Sequence, residues 1–198
     1  TATDTPGFES VATVSFTTAG RVEVGGKVVL VMPDESSGAQ HGWRFTDGAS
    51  TSTETSGTSN TPAILFTTPS SSTPTGTAVV YTLSTRTLVF TVGANDLAQG
   101  AAHVLTISNV LTPSSIVGVN NMVATTRDSE DKSVDTTSAM STDQITAGAL
   151  TSASFATATD TPGFESVATV SFTTAGRVEV GGKVVLVMPD ESSGAQHG

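Results

Sequence analysis

The chain has no cysteine, one tryptophan, one tyrosine and only 8 lysine or arginine residues in 198. Without cysteine there is neither a disulfide framework nor a thiolate metal site, so the fold must be held by packing and hydrogen bonds. The basic residues are too few and too scattered to face phosphates: no two are adjacent, and 18 acidic residues set the formal charge at −10. Nucleic acid and anionic membrane surfaces both call for clustered Lys and Arg, so neither is expected as a partner. There is also no run of about 18 apolar residues. The longest, Val28 to Met32, has the length of a buried strand, and no membrane insertion is expected in this segment.

Catalytic signatures are missing too. Three histidines are present, His41, His103 and His197, with no HxxxH spacing and no carboxylate at metal-ligand distance in sequence. No GxSxG, GxGxxG or phosphate-binding loop occurs. An enzyme is not expected. His103 shares the parity of Leu105 and Ile107, which predicts a packed strand histidine rather than a ligand.

What is present is a repeat. Residues 1 to 42, TATDTPGFESVATVSFTTAGRVEVGGKVVLVMPDESSGAQHG, recur without one change as residues 157 to 198. The period is therefore 156 residues, and a fixed period has to be read before anything else. Divergent duplications keep patterns and lose letters, so full identity indicates a tandem array kept homogeneous. Both ends fall inside a repeat and there is no starting Met, so the natural protein is expected to continue in both directions. The division this implies is a module over residues 1–148, its first strand cut off, and the start of the next identical repeat over 149–198.

Composition and patterning predict an all-β chain. Hydrophobic residues make up 36%, enough for a core, while Ser and Thr fill about a third and charged residues only 13%. Val and Thr dominate the periodic segments, and the strong helix formers Leu, Glu, Lys and Arg are scarce. Ser10 to Thr18 alternates, with Ala12, Val14 and Phe16 on one face. Gly25-Gly26 turns into Lys27 to Met32, apolar on both faces as a central strand should be. Trp43-Arg44-Phe45 is an aromatic anchor expected to close one end of the core. Ala63 to Phe66 is a short strand, Ala78 to Leu83 and Thr87 to Val92 form a hairpin, and Ala102 to Val110, Ile116 to Val119 and Asn121 to Thr126 continue the pattern. Thr136 to Gly148 reads as a polar junction loop, and Ala149 to Phe155 restarts the strands. Eight or nine short strands per period without a helix predict a β-sandwich with Greek-key connections.

ALTSASFATATDTPGFESVATVSFTTAGRVEVGGKVVLVMPD, followed by TLVFTV and LAQGAAHVLTISNVLTPSS, resembles the immunoglobulin-like modules tandemly repeated in very large cell-surface and secreted proteins of bacteria and algae. The resemblance covers most of the period and implies an extracellular array of β-sandwiches serving as stalk, filament or adhesive. The Ser/Thr-rich stretch after Trp43 departs from that compact pattern.

Function is accordingly expected to be structural: a repeat subunit of a long extracellular fibre, stalk or surface coat, with neighbouring copies of itself as partners. The alternative is an adhesin module that binds glycan or a surface through loops at one end. No cofactor is expected apart from calcium. Asp128, Glu130, Asp131 and Asp135, with Asp143 nearby, supply hard oxygens of the kind Ca2+ takes six to eight of. A Lys to Asn crosslink from Lys27 or Lys132 to Asn109, Asn120 or Asn121 is a second candidate. The tracts Thr46 to Pro62 and Thr68 to Thr77 have the composition of O-glycan carriers. Finally, residues 149–198 are expected to form a ladder with another chain or to reach back to Thr1 to Val119 of their own.

Overall fold

The computed structural model describes residues 3–33, 42–45, 64–68 and 76–189. The tract Thr46 to Pro62, positions 69–75 of the second tract, and His41 and His197 lie outside the described residues. In chain order the strands are β1 Glu9–Thr17, β2 Lys27–Val31, β3 Arg44–Phe45, β4 Ile64–Thr68, β5 Gly76–Thr82, β6 Thr87–Val92, β7 Ala102–Leu111, β8 Asn121–Arg127, β9 Ser133–Ser141, β10 Thr151–Thr157 and β11 Ala168–Thr173. A 3-10 turn, Leu83–Thr85, links β5 to β6, and Arg86 closes it in the left-handed region at φ 52°. Among the described residues no helix is long and apolar enough to cross a membrane.

The protein is all-β, and every strand pairing is antiparallel. One sheet has β7 in the middle, with β1 on one side and the short β3 and β4 along the other. The second runs β5-β6-β2-β8-β9. Their inner faces share one core, in which Val14, Phe45, Leu105 and Ile107 from the first sheet meet Val28, Leu30, Tyr81, Leu88 and Phe90 from the second. Phe45 and Tyr81 make the contact between layers directly, with ring centroids 4.8 Å apart in an edge arrangement. Two layers around one core are consistent with a β-sandwich.

The local patterns explain the placements. β2 is hydrogen-bonded on both sides, to β6 and to β8, and its Val28, Val29 and Leu30 are all buried, as a doubly apolar strand requires. β1 alternates with Val14 inward and Val11 outward, because only one of its faces meets the core. Trp43 and Phe45 are buried where the anchor was expected. Two segments differ from the sequence reading. Thr136 to Gly148 is not simply a junction loop, because β9 continues to Ser141. As an edge strand β9 presents mostly polar side chains to solvent, which hides the alternation that marks β8. Ile116 to Val119 contributes only an isolated bridge, Val117 to Ile145.

The repeated letters occupy two different environments. Val28 and Leu30 are 0% exposed, whereas their copies Val184 and Leu186 are 58% and 55% exposed. The stretch Lys183 to Val187 is not even a strand, although Lys27–Val31 is. The cause is non-local: among the described residues no strand equivalent to β6 or β8 pairs with the second copy, whereas β2 is flanked by both. Removing the same side chain at the two sites should therefore give unequal losses. Leu30→Ala is expected to cost about 2–5 kcal/mol, and Leu186→Ala about 0.5 kcal/mol or less, both read from denaturant unfolding; equal losses would contradict the two environments.

Candidate assembly interface at the repeat junction

The acidic run is the tip of a hairpin. Asp128, Glu130 and Asp131 lie in the turn from β8 to β9, and Asp135 lies within β9. Asp128 Oδ1 accepts the backbone N–H groups of Glu130 at 2.9 Å and Lys132 at 2.8 Å, so this carboxylate shapes the turn. Asp131 takes the Lys27 ammonium at 2.7 Å, and this bond holds its carboxyl below the ordinary range. Asp135 accepts from the Gly20 N–H and the Thr126 hydroxyl, both at 3.1 Å. The structure thus directs the side chains of Asp128, Asp131 and Asp135 to different partners. Among the described residues no three His, Asp or Glu come together as a metal-ligating group. Lys27 faces Asp131, not one of the asparagines considered for a crosslink.

His103 sits in β7 with its ring against Phe16 and its Nε2 3.5 Å from the Thr18 hydroxyl. Burial pushes its pKa below the ordinary value, against a smaller opposing effect from the Ala98 backbone. The unfolded chain is therefore protonated first as pH falls. Stability from this site is complete above the unfolded value of about 6.5 and declines as pH drops from there through the folded pKa. Asp96, Asp131 and Glu179, also shifted down, add their loss only below about pH 4.5. Unfolding midpoints should fall between pH 7.5 and pH 5 in the native chain, and His103→Gln should flatten that slope.

The second repeat meets the first module at a small set of contacts. Behind β9, still inside the first module, Ile145 and Val117 exchange both backbone hydrogen bonds, and the Thr146 N–H donates to the Asp4 carbonyl at 2.9 Å, which fixes where the chain leaves for the second repeat. β10 and β11 then form a two-stranded sheet that shares no ladder with the first module. After β11 the chain turns back, and the Arg177 N–H donates to the Gly7 carbonyl at 2.9 Å. The approach depends on glycine. A Cβ on Gly7, whose φ is +63°, would strike the Arg177 carbonyl, one on Gly176 would strike the Pro6 carbonyl, and one on Gly148 would lie 2.5 Å from the Ala175 Cβ. An open cleft of about 670 Å³ remains between the two parts, lined by Thr5, Ile116, Leu150 and Lys183 among others.

An ion cluster spans this junction. Arg44, 3% exposed, donates from Nη2 to Glu179 Oε1 at 3.0 Å, and Arg177 reaches the same oxygen at 2.7 Å. Burial alone would raise the Glu179 pKa; hydrogen bonds from Arg177 and then Arg44 outweigh it and hold the carboxyl below its ordinary value. In the first copy the same letters do something else. Arg21 pairs chiefly with Asp96 and only at 3.8 Å with Glu23, which is largely exposed. Gly20, the counterpart of Gly176, packs against Val134 of β9 instead of a proline carbonyl. The second copy thus lays against the first module a face that the first copy covers with β9.

Arg44 and Glu179 lie 135 positions apart, and the sequence reading did not pair them. The available signal was the charge between Trp43 and Phe45: a cation buried between two aromatic side chains calls for an anion. Neither a family model, nor a curated protein, nor a solved structure matches the chain. Glu179→Ala should free the returning segment, raising hydrogen exchange at the Arg177 amide by on the order of tenfold or more while the β2 amides keep their protection. Unchanged exchange at Arg177 would mean that the ion cluster does not hold the junction.

Proposed function

We propose that the chain is a structural repeat unit of a long extracellular fibre, stalk or surface coat, built from immunoglobulin-like β-sandwiches with Greek-key connections and working through contacts between copies of itself. The observation that carries this reading is the pair of environments of the identical 42 residues. The second copy exposes Val184, Leu186 and Met188, the side chains that the first copy buries. Contiguous exposed apolar side chains mark an interaction surface, and in the first copy the strand that carries their counterparts pairs with β6 and β8 of the same period. The Greek-key part of the proposal rests on neighbours far apart in sequence: β1 lies beside β7, and β2 lies between β6 and β8. The extracellular part rests on the hydroxyl-rich composition and on the resemblance stated above.

Electron microscopy of a chain carrying several complete periods tests the proposal. Filaments or rods with an axial repeat set by one 156-residue unit are expected. Separate modules strung on flexible connections, with no fixed spacing, would overturn it.

A further inference from the structure

We propose that the outer face of the five-stranded sheet is a lateral contact, through which a module of one array meets the same face of a second copy in a neighbouring array, the two sheets crossing near a right angle. The inference deepens the array reading and rests on it for its strength. Strand registers lay out the face. Val80, Val89, Val29, Thr125 and Thr136 stand opposite one another in a single row across β5, β6, β2, β8 and β9. Residues opposite in a ladder project to the same side, and the Thr125 and Thr136 hydroxyls lie 3.2 Å apart on it. The core is on the other side, where Val28 and Leu30 alternate with Val29. Val29 is 7% exposed without belonging to that core.

A sheet face turned to solvent ordinarily carries polar and charged side chains. This one is valine and threonine through its middle. Charge enters at one end, where Lys27 lies opposite Arg127, and Asp131 takes up the Lys27 ammonium. Short, β-branched and uncharged side chains are what the inner faces of packed sheets present to each other.

Charge at the corners identifies the occupant. The acidic turn holding Asp128 and Glu130 caps the β8 and β9 corner at the Lys27 end. Arg86 stands at the diagonally opposite corner, in the turn from β5 to β6 just before Thr87, which pairs with Val31. With an anion at one corner, a cation at the other and Val29 between them, the face is complementary to itself. Two copies related by a two-fold axis can meet in three ways. With strands running the same way, Lys27 lies over Lys27. With strands reversed, the acidic turn lies over Asn121 and Ser141, beside which the described residues hold no cation. With the sheets crossed near 90°, one of the two common sheet packings, each acidic turn lies over the other copy's Arg86 and Val29 lies over Val29. Only the crossed arrangement pairs the charges.

The size of the face explains why an array would use it. Five strands about 4.8 Å apart and the five residues of β2 span about 400 Å², half of the roughly 800 Å² per partner in a stable complex. One pair of faces is a weak contact. Arrays present it once every 156 residues, and linked weak contacts add to firm association.

Paired cysteines read the contact, since the chain has no thiol of its own. Ser129→Cys, beside Glu130, and Thr85→Cys, beside Arg86, change exposed positions and keep both charges. Within one chain the two sites are roughly 20 Å or more apart, beyond the roughly 7 Å that a disulfide spans between Cα atoms. Oxidised at high protein concentration, the double variant should give closed dimers at a yield on the order of tenfold or more above either single variant. Adding Thr125→Lys, next to Val29, or Val80→Lys, at the end of the row, should remove that excess while the unfolding midpoint is kept. If the double variant crosslinks no better than the single ones, or if neither lysine changes its yield, the face is not a contact between copies. A ladder of higher multiples would overturn the two-fold geometry. Filaments over several periods from chains in which the pair fails to crosslink would overturn the lateral contact and leave the array reading standing, whereas crosslinked dimers from chains that form no filament would overturn the array and leave the contact between single modules.

Discussion

The buried core of the first module is arranged around one strand with two hydrogen-bonded neighbours. β2 receives β6 on one side and β8 on the other, which puts Val28 and Leu30 at the centre of a five-stranded sheet under the layer carrying β1 and β7. The constraint is that both neighbours arrive from far along the chain. Where they are absent, as beside Lys183 to Val187, the same five letters make no strand at all. β propensity in these residues is permission to pair, and partners decide whether it is used.

That dependence separates what could be read from the sequence from what could not. β1, β2, β6, β7 and β8 announce themselves through alternation or a doubly apolar run, because their environments are fixed by which face meets the core. Trp43 and Phe45 were legible as an anchor because large aromatics in so polar a chain have few other uses. β9 was not, since SVDTTSAMS on a sheet edge keeps little apolar rhythm and looks like a connection. The acidic run is not gathered into one group among the described residues, for a different reason. Nearness in sequence at a hairpin tip sends successive side chains in different directions, so Asp128 serves its own turn, Asp131 faces Lys27 and Asp135 faces Gly20 and Thr126. The Arg44 to Glu179 contact joins two repeats and left only its cationic half visible in any local window.

The junction shows how one surface takes two partners. Gly20 and Gly176 have the same neighbours in sequence, yet one lies against Val134 of β9 and the other against Pro6. Arg21 finds Asp96, and Arg177 finds Glu179 beside Arg44. Contacts of this kind are modest in extent, and the cleft beside them is open. They hold the second copy by a few points and leave its apolar side exposed.

The long reach between β2 and β8 also sets a clock. Val31 pairs with Val123, so a ribosome must add about 90 residues after β2 emerges before its last partner exists. At roughly 5–20 residues per second that is a wait of about 5–20 s. During this interval an apolar strand is exposed, and in a tandem array the next identical strand follows 156 residues later. Each strand must be claimed by its own module before its twin is synthesised, so in a homogeneous array order of emergence, rather than difference in sequence, selects the correct pairing.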